Sequence, residues 1–375
     1  MDHASNLESA EVFRRWTAIT AIAAVLEQKV WLTTSDKLYP NLYTILVGHP
    51  GVGKTRTIMA GRKFLVELPE FHIAPTSMKM ASLVDSLLSA KRVVISLPKP
   101  ALEYNSMALL MDEWTAFMHT FDDELVGGLS QFYDCWPYEQ KRRTSNIHIK
   151  IPRPQLTILA GDTPGHLTRF MPDFAWDQGF ASRIILIYSS ERTIGDDFAA
   201  PSRALPPEMI HDLKIIYALQ GEFEVTAEYR AAVSAWRAMG EIPKPSHPKL
   251  LHYNTRRRTH IYKLSMVSAI DRGNTIRLLE EDFFRARKWL EEAEVVMANI
   301  FEEGAQHLDA RLMDELVDWL RRQGKVTQAR LVHQTSRSFP NYAVVKVIDL
   351  LAMSGRIEKD EKGMFSVTGP SSPTA

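Results

Sequence analysis

Tyr43-Thr44-Ile45-Leu46-Val47-Gly48-His49-Pro50-Gly51-Val52-Gly53-Lys54-Thr55-Arg56-Thr57 is the stretch whose reading decides the fold. Its apolar run, Ile45 to Val47, is short and partly β-branched, as a buried strand is. Gly48 to Thr55 matches the phosphate-binding pattern G-x-x-x-x-G-K-[ST]. The segment from Thr57 to Val66 predicts a helix. Glycines permit a sharp turn in which several backbone N–H groups converge on phosphate oxygens. The helix N-terminus that follows adds partial positive charge at the same place. Gly48, His49, Pro50, Gly51, Val52, Gly53, Lys54, Thr55 and Arg56 are therefore expected to hold a nucleotide, ATP. Lys54 would reach its β- and γ-phosphates, and the Thr55 hydroxyl would hold Mg²⁺.

Hydrolysis needs carboxylates as well as a cradle. Met107 to Met111 is a second apolar strand, and it ends in Asp112-Glu113. Asp112 is the expected second Mg²⁺ ligand, and Glu113 the expected base for the attacking water. Leu156 to Ala160 is a third buried strand, ending in Gly161-Asp162-Thr163. Asp162 and Thr163 stand where a polar side chain orients the lytic water, with a simple turn cap as the alternative. Arg183 precedes a fourth apolar run, Ile184 to Ile187. A permanently ionised guanidinium suits γ-phosphate charge, and at a subunit edge it would complete a neighbour's site. A structural ion pair is the competing expectation for it.

The rest of the chain bounds the answer. At 375 residues it has room for two to three domains, and Lys+Arg equals Asp+Glu at 45 each. Whole-chain charge thus gives no argument for nucleic acid, and any basic surface must be local. The lone cysteine, Cys135, excludes an intrachain disulfide and a Cys-rich zinc site, which fits a reducing, cytoplasmic setting. The opening residues have neither a basic nor an apolar signal region, and the run Ala18 to Leu26 is too short to span a bilayer, so no membrane role is expected. Lys141-Arg142-Arg143 opens an alternating segment in which Ile147, Ile149 and Ile151 share a face, predicting a hairpin with a basic tip. Such a tip either touches a nucleic-acid backbone or is a solvated turn.

Five segments follow. Residues 1–40 are a helical lead-in, 41–195 the α/β ATPase core, and 196–303 a helical lid. Residues 304–368 read helix, helix, helix and β-hairpin, the winged-helix layout, and 369–375 form a disordered tail. The boundary near 195 rests on Gly195, Asp196, Asp197 and Pro201. Helices are expected at 207–219, 226–240, 251–272 and 281–302. An arginine of Arg256-Arg257-Arg258 could reach the nucleotide from the lid, or the three could form a solvated turn. In the winged helix the third helix offers Lys346 to DNA, a thin basic footprint that leaves protein contact or a structural role open.

The order of these motifs resembles the AAA+ group of P-loop ATPases. Tyr39-Pro-Asn-Leu-Tyr43, Gly48 to Thr55, Gly161-Asp-Thr-Pro-Gly-His-Leu167 and Gln178-Gly-Phe-Ala-Ser-Arg183 are similar to phage and prophage replication ATPases of the replicative helicase or primase-helicase type. The resemblance covers about residues 12 to 300. It implies a homo-oligomeric ring, a hexamer, that hydrolyses ATP·Mg²⁺ to do work on single-stranded or forked DNA with other replication proteins. It also implies that Arg183 acts in trans. No primase domain is expected, and Asp162-Thr163 replaces the commoner asparagine of that family. The leading expectation is a DNA helicase. A helicase loader or remodeller is the alternative, as is a winged-helix initiator with ATP as a switch.

Overall fold

The glycine-rich loop leaves one inner strand of a five-stranded sheet. The computed structural model describes residues 7–75, 79–95, 101–117, 123–142, 147–171, 176, 179–193, 205–339 and 341–368. Arg143, Gln178, the boundary residues Gly195, Asp196, Asp197 and Pro201, and the tail Gly369 to Ala375 lie outside them. The protein is α/β with mixed sheets, and it divides into two compact units, Met1–Phe301 and Glu302–Ala375. The segment expected as a separate lid, 196–303, falls almost wholly within the first unit.

In chain order the first half comprises α1 (Glu11–Leu26), β1 (Val30–Thr33), β2 (Lys37–Leu38), β3 (Tyr43–Val47), α2 (Lys54–Val66), α3 (Met80–Ser89), β4 (Lys91–Val94), β5 (Leu102–Met111), α4 (Trp114–Phe117), α5 (Asp123–Asp134), β6 (Tyr138–Arg142), β7 (Ile147–Ile151), β8 (Pro154–Asp162), α6 (Pro164–Phe170) and β9 (Ile184–Tyr188). Then come α7 (Pro207–Ala218), β10 (Gly221–Glu222), β11 (Glu224–Val225), α8 (Ala227–Ala238), α9 (Leu251–Gly273), β12 (Arg277–Leu278), α10 (Glu280–Gln323), β13 (Val326–Thr327), α11 (Gln328–Thr335), α12 (Asn341–Met353), β14 (Ile357–Lys359) and β15 (Met364–Val367).

The main sheet runs β4-β5-β8-β3-β9. β5, β8, β3 and β9 are parallel, and β4 pairs antiparallel with the start of β5. Beyond β4, the outer edge of β5 is taken by His72 to Ala74: Ala74 N–H donates to Ala108 O at 2.8 Å and Ala108 N–H to His72 O at 2.9 Å. β3, β8 and β9 are buried along their whole length, which explains their continuous apolar runs. α1 and α2 pack closely because Gly61 has no side chain; a Cβ there would lie 2.7 Å from Thr17 Cγ2. Thr20 Oγ1 donates to Thr44 Oγ1 at 2.8 Å, tying α1 to β3.

Two boundaries differ from the expectation. β8 begins at Pro154, two residues before the apolar run Leu156 to Ala160. The proline's missing N–H costs nothing at the first residue of a strand. The helices expected at 281–302 and after 308 are one continuous element, α10, of 44 residues. It ends where Gly324 takes φ 73° and its N–H caps Leu320 O at 2.9 Å.

The second unit carries its own core, including Leu316, Leu320, Leu331, Val347, Leu351 and Phe365. Its sheet runs β13-β15-β14, antiparallel throughout. The hairpin turn is fixed by Asp360, whose Oδ1 accepts from the N–H groups of Lys362 and Met364 at 3.0 Å each. Among the described residues no helix is long and apolar enough to cross a membrane.

Candidate functional site

Strand register brings the distant motifs together. Val47 at the end of β3 pairs with Asp162 at the end of β8, and Ala160 of β8 pairs with Met111 at the end of β5. The chain therefore leaves three adjacent parallel strands at one edge of the sheet, through Gly48, Asp112 and Thr163, with β5 ending two residues before β3 and β8 in register. This carboxyl edge is where open α/β sheets present their ligand-binding groups. β8 lies between the loop strand and the acid strand, so its polar end faces both. The close approach of β5 to β8 depends on Gly161: a Cβ there would sit 2.6 Å from Asp112 O.

A cleft of about 820 Å³ opens at this edge. Pro50, Gly51, Gly53, Lys54, Thr55 and Arg56 line one side, and Asp112, Glu113, Asp162 and Thr163 another. Gly51 and Gly53 take φ of 87° and 81°, the left-handed region that L side chains avoid. Gly53 is also the N-cap of α2, and a Cβ on it would lie 2.0 Å from Glu8 O. The segment before α1 is thus pressed against the loop. Thr57 Oγ1 donates to Ser9 Oγ at 2.5 Å, Arg56 pairs with Glu8, and Arg14 donates to Ser9 O at 2.8 Å.

Lys54 Nζ donates to the carbonyls of Gly48 at 2.5 Å and His49 at 2.9 Å. Burial lowers its pKa, against the opposing charges of Asp162 and Glu113. All three side chains line the same cleft. Gly48, His49 and Val52 do not line the cleft. Val52 is buried beneath the loop, so the contribution of Gly48 and His49 is their carbonyl contact with Lys54.

Asp112 and Glu113 are exposed into the cleft at the end of β5. Asp162 is 2% exposed, and its Oδ1 accepts the N–H of Thr163 at 2.8 Å. Thr163 caps α6, accepting from His166 N–H at 3.4 Å, while also facing the cleft. The turn-cap alternative and the cleft position therefore coexist in one residue. His166 Nδ1 stands 3.9 Å from Asp162 Oδ1.

Arg183 is not on an exposed edge. It is 7% exposed and lies away from the cleft, with Nε donating to Asp134 Oδ2 at 3.2 Å and a second donor on the same oxygen. Arg256 shares that carboxylate, with NH1 2.9 Å from Oδ1. Within this chain Arg183 thus forms the structural ion pair that was the competing expectation for it. The arginine triplet differs from both of its expectations. The three lie within α9 rather than in a turn, and none lines the cleft. Arg257 is fully buried, with Nε 2.6 Å from Glu294 Oε1, and Arg258 stands 3.9 Å from Glu241.

Of the described basic residues expected at nucleic acid, Arg142 is engaged and Lys141 and Lys346 are exposed. β6 and β7 do form an antiparallel hairpin. Arg142 is tied to α3, 2.9 Å from Asp85, while Lys141 is exposed. On α12, Lys346, Leu350 and Met353 stand at i, i+4 and i+7 and are exposed, beside exposed Val345 and Asp349. That face is more apolar than basic.

Four cleft residues were not anticipated: Glu8, His166, Arg192 and Thr193. His166 could have been found, because it is four residues from Asp162 across a helix start. The other three reach the cleft from segments whose paths no local pattern encodes. Among the described residues no cluster of three or more His, Cys, Asp or Glu side chains could hold a metal by itself. The donors present, the Thr55 hydroxyl and the Asp112 carboxylate, suit a Mg²⁺ that shares its remaining positions with water and substrate phosphates. Compared with known proteins, the sequence matches no family model and no curated relative.

Proposed function

We propose that the first unit is an ATP-hydrolysing P-loop core of the AAA+ type, and that the whole chain is a DNA-dependent motor of the phage-replication helicase kind. The observation that carries the ATPase is the convergence of Lys54, Thr55, Asp112, Glu113, Asp162 and Thr163, from three adjacent strand ends, on one cleft. The loop N–H groups and the N-terminus of α2 bind the polyphosphate. Lys54 exchanges the Gly48 and His49 carbonyls for phosphate oxygens. Glu113 takes a proton from water as its oxygen bonds to the γ-phosphorus, while the bond to the β,γ-bridging oxygen breaks and its electron pair leaves with ADP. Asp162 and Thr163 orient that water. Mg²⁺ held through Thr55 and Asp112 would neutralise charge on the β- and γ-phosphates.

Mg²⁺-dependent binding of a fluorescent ATP analogue tests this core. Glu113→Gln should keep that binding while hydrolysis falls by about 10²-fold or more. Loss of binding together with hydrolysis would place Glu113 outside the role given to it.

The ring, the hexamer and the DNA partner rest on the order of motifs along the chain. Lys141 of the hairpin and Lys346 of α12, both exposed, are the DNA contacts. The C-terminal unit fits the winged-helix layout through its element order and antiparallel β13-β15-β14 sheet. The exposed apolar face of α12 favours a second reading, a loader or remodeller in which this unit grips a protein. ATP-dependent unwinding of a forked duplex by the purified chain supports the helicase. ATP turnover without unwinding supports the loader.

A further inference from the structure

We infer that Arg192 is a further polyphosphate-binding residue of this cleft, acting on the transferred phosphoryl group from within the same chain. The inference rests on reading the cleft as a nucleoside-triphosphate site. Its basis is the path of the chain after β9. Tyr188 ends that strand in register with Val47, and Ser189 N–H then donates to Val47 O at 3.1 Å. The backbone thus leaves the sheet immediately beside the glycine-rich loop. Gly48 makes the approach possible, since a Cβ there would stand 2.4 Å from Ser189 O. Ser189 Oγ then accepts Glu191 N–H at 3.1 Å, turning the chain so that Arg192 and Thr193 reach the cleft wall.

Arg192 is exposed there, in the company of Lys54 and Arg56. The other cations have commitments. Arg56 pairs with Glu8, Lys54 bonds to the loop carbonyls, and Arg183 is sequestered with Asp134. Charge developing on a transferred phosphoryl group needs more than one ammonium. A guanidinium supplies a planar fork of donors that matches two phosphate oxygens. Arg192 therefore takes, in cis, the part that sequence alone assigns to Arg183 in trans.

The test compares wild type, Arg192→Ala, Arg192→Lys and Lys54→Ala as full-length proteins. ATP turnover, and the affinities for ATP and ADP, are measured on each, with circular dichroism to verify folding. Arg192→Ala should lower kcat by about 10²-fold, weaken ATP more than ADP, and leave the fold intact; Arg192→Lys should recover part of the loss. Mixing Arg192→Ala with Lys54→Ala should restore no activity, because neither chain has a complete site. Unchanged turnover in Arg192→Ala would overturn the inference while leaving the nucleotide reading standing. Restored activity in the mixture would overturn the within-chain assignment. A folded wild type that neither binds nor hydrolyses ATP would remove the underlying reading, and the inference with it.

Discussion

Asp134 organises a buried cationic cluster that outwardly looks like catalytic machinery. Arg183 and Arg256 share its carboxylate, and Lys263 lies close by, donating to Asn41 O at 2.9 Å. Burial depresses Lys263 to a pKa of about 7 and raises the Cys135 thiol to about 12. Removing one partner of a buried pair leaves the other partly uncompensated. Arg183→Ala should therefore lower unfolding free energy by about 3 kcal/mol in chemical denaturation, with nucleotide affinity of the remaining folded protein retained. A stable variant that has lost only hydrolysis would restore the catalytic assignment. His260 gives a second handle. Its Nε2 is 2.9 Å from Ser182 O, and burial, with Lys263, Arg256 and Arg257 nearby, lowers its pKa from 6.5 to about 3. Below pH 6.5 the unfolded chain takes up a proton that the folded chain refuses until about pH 3, so stability falls as pH drops through that window. Urea denaturation should show a loss of about 1 kcal/mol between about pH 7 and about pH 5.5, and His260→Gln should flatten it. No difference between the two proteins would mean that His260 titrates normally.

At the scale of elements, the site is a consequence of register. β3 and β8 end level with one another, β5 ends two residues earlier at the same edge, and two glycines let the connecting chains close in. Gly48→Ala should push Ser189 from the loop, costing about 1–3 kcal/mol in stability and weakening nucleotide binding. Unaltered stability would show that the loop and the segment after β9 move independently. The strands and the loop were legible because buried parallel strands read as continuous apolar runs that end in polar residues. The antiparallel edge strand β4 was not, since Lys91 and Arg92 disguise it. Nor was the continuity of α10, because polar residues around 303–311 break the apolar period without breaking the helix. Lys54, Thr55, Asp112, Glu113, Asp162 and Thr163 were legible for a related reason: each directly follows an apolar strand or the glycine pattern. Arg183 follows no such rule. A charged residue before a strand can face a neighbouring chain or an internal carboxylate, and the deciding partner, Asp134, lies 49 residues away in sequence. Arg192 was hidden because a close backbone approach at Gly48, not a motif, delivers it.

At the scale of the whole molecule, the two units divide the proposed labour. The first holds every residue of the cleft. The second has its own core and an exposed helix face that carries Lys346 among apolar neighbours. Both the helicase and the loader need the same engine, so the engine is the central claim. Steady-state phosphate release from ATP, with and without Mg²⁺, by the wild-type chain and Lys54→Ala tests it most directly. Mg²⁺-dependent turnover in the wild type, reduced by about 10²-fold or more in a folded Lys54→Ala variant, is the predicted result. A folded wild type that releases no phosphate, or a Lys54→Ala variant that matches it, would contradict the account.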